Sequence, residues 1–456
     1  MASPATDTTI RPTGGPPTTR RPLGAVVLVG ALAYGVWSQG AYHQWQHQVF
    51  AVLVGVAAAV TGAMAIGRRA LFTGAVIVSP LLVSSMLSIV LSSDRSDAGS
   101  TVLEILLVGV GLAVGLSITR TQFDHAVKSI VVVALIVAVT AVLGVASHEP
   151  PWGRVTEGVW RGSSSLTYAN AAATVCGPMA LLAFGRAALF NSRAYAVATV
   201  AFTIGLASTQ SRGGVLATAV IAVVLVAYLG VRRSAETALP IALGVGIGTP
   251  LLLVLAPDSA TERSVLVLIG VALGLAATAA TWDLRARVPK PQAVLVALAV
   301  VGLLTGALDP LTERLTLRSG TTSQGESAEV LFGDRAKEWS TAWSEFTEKP
   351  VAGHGPGVVN LEWTEPDGRS FRAEFVHNEY LEFAVTNGVI GIAALAASAW
   401  LAVRQVTLSR DTWPIVVAVA AFLLHSTVDF LWHLPALPVL FAMLLGMTSR
   451  TLRGRG

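Results

Sequence analysis

The stretch FVHNEYLEFAVTNGVIGIAAL, residues 375–395, sets His377, Asn378, Glu379 and Glu382 at the head of an apolar run. The run beyond Tyr380 approaches the roughly 20 residues that a helix needs to cross a bilayer. The sequence before it, PDGRSFRAEFV, has the polar composition of a soluble loop. Titratable groups therefore stand where a helix enters lipid. Carboxylates suit the positive end of a helix dipole. That dipole disfavours an imidazolium and favours a neutral imidazole, which can accept a proton. A neutral His beside a carboxylate is the usual general base near pH 7. A lone His is also often structural, and this stretch leaves both readings open.

The rest of the chain has the same character. Of its 456 residues, 53% are hydrophobic and 13% charged, about half the charged fraction of a soluble domain. The mean hydropathy is +0.65. The expected class is an all-α polytopic membrane protein with 12–14 transmembrane helices. Candidate spans are 23–40, 49–66, 71–91, 101–118, 126–147, 168–185, 194–209, 214–230, 238–256, 264–281, 292–309, 379–403, 413–428 and 434–449. Abundant Gly and Ala suit close helix packing in lipid. The single Cys176 lies in an apolar block, which excludes an intrachain disulfide.

Residues 1–22, rich in Pro, Thr and Gly, read as a disordered tail, and 451–456 as a second tail. Between them come a first bundle, 23–309, a large loop, 310–378, and closing spans within 379–450. Lys and Arg set the orientation. Arg68, Arg69, Arg120, Lys128, Arg186, Arg193, Arg232, Arg233, Arg285, Arg287, Lys290, Arg404 and Arg410 fall on alternate connections, on the side of both tails. The expectation is a cell-membrane protein with both termini cytoplasmic and 148–167, 210–213 and 310–378 outside. Loops as long as 310–378 are usually functional or disordered. This one carries GDRAKEWSTAWSEFTEKP, with Asp334 as N-cap and Arg335, Trp339, Trp343 and Phe346 at helical spacing. Such a helix suits the headgroup layer or a lid packed on the bundle.

Several outer residues could carry chemistry. Arg212, in TQSRGGVLA, sits between two spans beside Gly213 and Gly214, which permit a tight turn or a close ligand. It is either a lipid-phosphate anchor or a ligand group, since a guanidinium at that depth needs a partner. Arg161 precedes Ser163, Ser164, Ser165, Thr167, Tyr168 and Asn170 at a helix mouth, either an anion site or a cap. Arginines clustered on one face suit a diphosphate, which a guanidinium grips bidentately. PVAGHGPGVVN is a tight glycine loop and weak evidence for a nucleotide. His43 and His47 have helical i, i+4 spacing without a third ligand, so no metal site is expected. Asp429 and His433 line the same face or cap helices. No Walker motif, HExxH or Asp-x-Asp pair occurs.

In their order, SSSLTYANAAAT, TQSRGGVLA, DRAKEWSTAW, PVAGHGPG and HNEYLEFAVTNGVIG, followed by the closing spans, resemble the O-antigen ligase/polymerase superfamily over residues 150–450. The resemblance implies a GT-C-like, metal-independent membrane glycosyltransferase that needs no cofactor. It would take a glycan from undecaprenyl diphosphate outside the membrane and attach it to a glycan, lipid or wall-polymer acceptor. The bilayer is a partner and nucleic acid is not. By this resemblance Arg212 binds the donor diphosphate with help from Arg335. His377 acts as base on the acceptor hydroxyl, with Glu379 or Glu382 orienting it. Arg161, Tyr168, Asn170 and Asn378 complete the substrate site. The alternatives are a polymerase of the same superfamily, a lipid-linked glycan flippase and a sensor or scaffold. A flippase calls for charged or broken helices near the midplane.

Overall fold

The computed structural model describes residues 23–92, 98–156, 158–258, 264–287, 335–356, 359, 361–364 and 370–449. The expected tails, the span 292–309, residues 310–334 and the N-cap Asp334 lie outside them.

The described chain is a helical bundle. Its helices are α1 (Leu23–Trp37), α2 (Gln44–Gly62), α3 (Ala65–Leu91), α4 (Ala98–Ser117), α5 (Arg120–Ser147), α6 (Ala169–Phe190), α7 (Arg193–Thr209) and α8 (Arg212–Leu229). They continue as α9 (Val231–Gly248), α10 (Pro250–Val254), α11 (Ser264–Thr281), α12 (Arg335–Glu348), α13 (Glu379–Val403), α14 (Trp413–His425) and α15 (Ala436–Gly446). Among the described residues nine helical runs are long and apolar enough to cross a membrane, and α1, α14 and α15 are shorter apolar helices. The perimeter is itself apolar: Phe72 and Val223 are 72% and 70% exposed, a surface suited to lipid. This is an all-α polytopic membrane protein.

α6 is the axis, almost wholly buried among α5, α7, α8 and α14. α4 meets α15 through small residues: a Cβ on Gly115 would collide with Met443 O, and one on Gly446 with Leu112 O. Arg232 and Arg233 belong to the first turn of α9, directly after Gly230, and not to a loop.

Two elements depart from the all-helical expectation. β1 (Gly153–Thr156) and β2 (Val159–Gly162) form an antiparallel hairpin in which Arg154 lies opposite Arg161. β3 (Leu361–Thr364) and β4 (Ser370–Ala373) form a second. At four residues each, these strands are too short for a periodic signal. The aromatics of α12 also divide. Trp339 and Phe346 pack with Ala342, Leu361, Val376 and Val385, whereas Trp343 is 58% exposed. The helix lies on the bundle as a lid.

The glycine loop has a structural use. α13 breaks at Gly388 (φ 64°, ψ −165°), nine residues past its start and therefore roughly 14 Å along its axis. Residues 350–355 lie against the break. Val389 N and Ile390 N donate to Pro350 O and Val351 O (2.8 and 3.3 Å), while His354 N and Gly355 N donate to Val385 O and Thr386 O (2.9 and 3.0 Å). Ser88 on α3 donates to Thr386 O and Ala352 O. Irregular backbone survives at membrane depth only when its polar groups are satisfied by protein or water. Alanine at Gly388 would adopt a backbone region almost confined to glycine, costing about 1–3 kcal/mol, and its Cβ would strike the Val351 main chain. Gly388→Ala is expected to lower the thermal midpoint of nanodisc-embedded protein by several degrees. An unchanged midpoint would contradict this packing.

Candidate active site

Asn378 is the N-cap of α13: its Oδ1 accepts from Tyr380 N and Leu381 N, both at 3.1 Å. Expected to bind substrate, it is engaged in starting the helix. His377 therefore stands just outside α13, in the left-handed region at φ 48°. Its Nδ1 lies 2.8 Å from Glu338 Oε2 on α12, and the ring meets Phe430 edge-on, with centroids 4.9 Å apart. An ionised carboxylate only accepts, so Nδ1 carries the proton, and in its neutral form the ring presents the Nε2 lone pair. The side chain is 25% exposed and reachable.

The carboxylate that holds His377 is thus Glu338. Glu379 and Glu382, expected in that role, make no hydrogen bond to it and face the connection between α14 and α15. Glu379 accepts from Trp432 N, and its own N–H donates to Ser426 O at 3.0 Å. Glu382 accepts from Val376 N at 3.0 Å and pairs with His433 Nε2 at 2.6 Å. The two glutamates clasp the loop 426–433 to the head of α13.

That loop carries Asp429, 1% exposed and surrounded by donors. Tyr168 O–H (2.6 Å) and Phe430 N (2.9 Å) donate to Oδ1, while Asn170 Nδ2 (2.5 Å) and Arg335 Nη2 (3.2 Å) donate to Oδ2. Arg335 Nη1 also donates to Val428 O at 2.7 Å. Arg161 donates through Nη2 to Asn170 Oδ1 (3.0 Å) and through Nε to Thr209 O (2.9 Å). Burial, reinforced by the Asp429 carboxylate, pushes the Tyr168 phenol well above its ordinary range, so it stays a donor. Phe430 stacks on Tyr168 and on Phe375, at 4.9 and 4.5 Å, and meets His377 on its edge. Arg161, Tyr168, Asn170 and Arg335 are thereby gathered around one carboxylate, with His377 one aromatic ring away.

The seryl mouth of α6 is not an anion cradle. Ser163 N and Ser164 N donate to Trp152 O, Ser165 N to Thr140 Oγ1 and Leu166 N to Ser164 Oγ. Nor do these residues cap the helix, whose N-cap is Tyr168.

Arg212 is the first residue of α8, and its side chain is exposed. Ser211 Oγ accepts from Gly214 N at 3.2 Å, closing the turn. A Cβ on Gly213 would come within 3.0 Å of Val428 Cγ2 and 3.3 Å of His425 Nε2. Arg212 therefore borders the segment that holds Arg335, and among the described residues its guanidinium has no hydrogen-bond partner. His43 is the N-cap of α2, and among the described residues no group of three potential metal ligands occurs.

The His433–Glu382 clasp has a pH consequence. Burial lowers the affinity of His433 for a proton, but Glu382, with Glu379 and Glu104, outweighs it and raises the pKa to about 10. A free imidazole titrates near 6.5. The folded value lies above the unfolded one, so this stabilisation is complete below about pH 6.5 and is lost as pH rises through about 10. The thermal midpoint of the membrane-embedded protein is expected to fall across that window, and His433→Gln to flatten the fall. Parallel curves for the two proteins would exclude the clasp as the cause.

Glu338 and Phe430 escaped the sequence reading. Glu338 lies three residues beyond Arg335, one helical turn along α12, and that spacing was the available signal.

No curated protein matches the chain. Residues 251–396 match the family model described as O-antigen ligase, a span that contains Arg335, Glu338, His377, Glu379 and Glu382. Through this segment, with its lid helix, its base-like histidine and its helix-capping turn, the chain is similar to the O-antigen ligase family.

Proposed function

We propose that this protein transfers a glycan from undecaprenyl diphosphate to an acceptor hydroxyl at the extracytoplasmic face, without a metal ion. The observation that carries the reading is the Glu338–His377 hydrogen bond, which leaves Nε2 as a lone pair beside the arginine-bearing Asp429 network. In this reading the acceptor hydroxyl gives its proton to His377 Nε2, and Glu338 stabilises the imidazolium. The hydroxyl oxygen bonds to the anomeric carbon as that carbon's bond to the diphosphate oxygen breaks. The departing diphosphate keeps the electron pair and needs neutralisation. Arg335 is engaged with Asp429 and Val428, and Arg161 with Asn170 and Thr209, so both position the site. Arg212 is the guanidinium available for the diphosphate. The basic residues at the opposite helix ends favour placing this face outside.

The flippase alternative could draw on the break in α13. The groups freed there are bonded to residues 350–355, however, which leaves little to coordinate a moving substrate.

The test is incubation of the purified protein, in nanodiscs, with undecaprenyl-diphosphate-linked glycan and candidate acceptors, with and without chelator. Glycan should appear on an acceptor with release of undecaprenyl diphosphate, and chelator should leave the rate unchanged. Chelator-sensitive transfer would overturn the metal-free chemistry, and translocation without cleavage would overturn the enzyme reading. A repeating, growing product would identify the polymerase form.

A further inference from the structure

His425, the last residue of α14, is a buried titratable group that the proposed chemistry does not use. It is 2% exposed, and its Nδ1 lies 2.5 Å from Thr174 Oγ1 on α6. The Thr174 hydroxyl donates its one hydrogen to Asn170 O at 2.9 Å. Nδ1 must then supply the proton of the His–Thr bond, which leaves Nε2 a bare lone pair. Among the described residues Nε2 has no partner. An unsatisfied buried acceptor usually marks a missing ligand or a functional group.

The ring edge faces the first turn of α8. A Cβ on Gly213 would lie 3.3 Å from Nε2, and one on Gly214 3.2 Å from Cε1, so the imidazole packs tightly against this glycine turn. Gly214 N and Val215 N are satisfied by Ser211, through Oγ and O respectively. The N–H groups of Arg212 and Gly213 have no acceptor among the described residues. An 18-residue helix thus presents two open N–H groups and an arginine, with an unpartnered imidazole lodged against the same turn. Helix N-termini of this kind bind phosphate.

We infer that the first turn of α8 and His425 form one diphosphate-binding pocket, in which the imidazole takes up a proton from water as the anion binds. The inference rests on the proposed role of Arg212 and adds a second, titratable group to it. The physical basis is charge compensation: an anion beside a buried neutral imidazole favours its protonated form. The new Nε2–H then offers the anion a charge-assisted hydrogen bond. The other charged groups around His425 are Arg212 on α8, Asp429 on the following loop and Arg335 from α12, with Tyr168, Asn170 and Thr174 at the head of α6.

The experiment measures the affinity of inorganic pyrophosphate for the full-length protein in phosphatidylcholine nanodiscs, from pH 6 to pH 9. Ionisation of pyrophosphate itself is common to every variant and cancels in the comparison. Wild-type affinity should fall with rising pH more steeply than that of His425→Asn, by an excess of up to about tenfold per pH unit, the limit for one linked proton. His425→Gln should match His425→Asn, which guards against failure of one variant to fold. Arg212→Ala should weaken binding at every pH. Identical pH slopes in wild type and both histidine variants would overturn the inference while leaving the Arg212 site intact. No binding by wild type at any pH would overturn both. A second arm uses undecaprenyl diphosphate and undecaprenyl monophosphate as competitors. Displacement by the former alone identifies a lipid diphosphate as the natural source, and displacement by neither identifies the free anion; both results keep the pocket.

Discussion

His377→Ala is expected to lower glycan transfer about 10²–10⁴-fold, the usual contribution of a positioned general base, without loss of folded protein. Nδ1 is committed to Glu338 at 2.8 Å, so the ring has one orientation and one tautomer, and Nε2 is the atom left for the acceptor hydroxyl. The side chain is a quarter exposed and contributes little to packing, so removing it should spare the fold. Glu338→Gln supplies the control. An amide can turn its oxygen to Nδ1 and hold the ring, but it lacks the charge that stabilises an imidazolium. The variant should lose rate while keeping donor affinity. A His377→Ala enzyme at full rate, with normal protein levels, would remove the imidazole from the chemistry.

The second large effect is expected at Asp429. Four donors converge on this carboxylate: the Tyr168 hydroxyl, the Phe430 main chain, the Asn170 amide and the Arg335 guanidinium. The Phe430 N–H, the Asn170 amide NH₂ and the Arg335 guanidinium can only donate, which suits a carboxylate at the position. Asp429→Ala leaves the Arg335 charge without its partner in a largely desolvated site. Breaking a buried pair in this way typically costs about 3–5 kcal/mol. Asp429→Asn keeps the volume but turns an NH₂ group toward donors, and is expected to destabilise nearly as much. Titration with SDS in mixed micelles, followed by tryptophan fluorescence, should show both variants unfolding at lower detergent fractions. Transfer should fall with them, because the loop carrying Asp429 also carries Phe430, which supports His377. An Asp429→Asn protein as stable as the parent would mean that the carboxylate is not the hub described.

Much of the site was legible because charge in an apolar chain is rare. Arg212, Arg335, His377, Glu379 and Glu382 stand out against spans that exclude them, since an ionisable group near lipid must have a use. Their roles were less legible. Glu379 and Glu382 follow His377 closely along the chain, and proximity in sequence made them its expected partners. The turn at His377, with its positive φ, aims the imidazole at α12, while the first turns of α13 aim both glutamates at the loop 426–433. The glycines of PVAGHGPG and Gly388 offered no periodic signal either. Their use is mutual, because the loop fits where the helix breaks.

The sequence by itself determined the class of protein, the apolar character of its helices and the residues too polar to lie among them idly. The transfer cost of polar groups decides all three, and that cost belongs to each residue alone. Only the tertiary structure decided which acid meets which histidine, Glu338 with His377 across 39 positions and Glu382 with His433 across 51. Hydrogen bonds are fixed by helix rotation and by the packing of distant segments, and neither quantity is written in local composition.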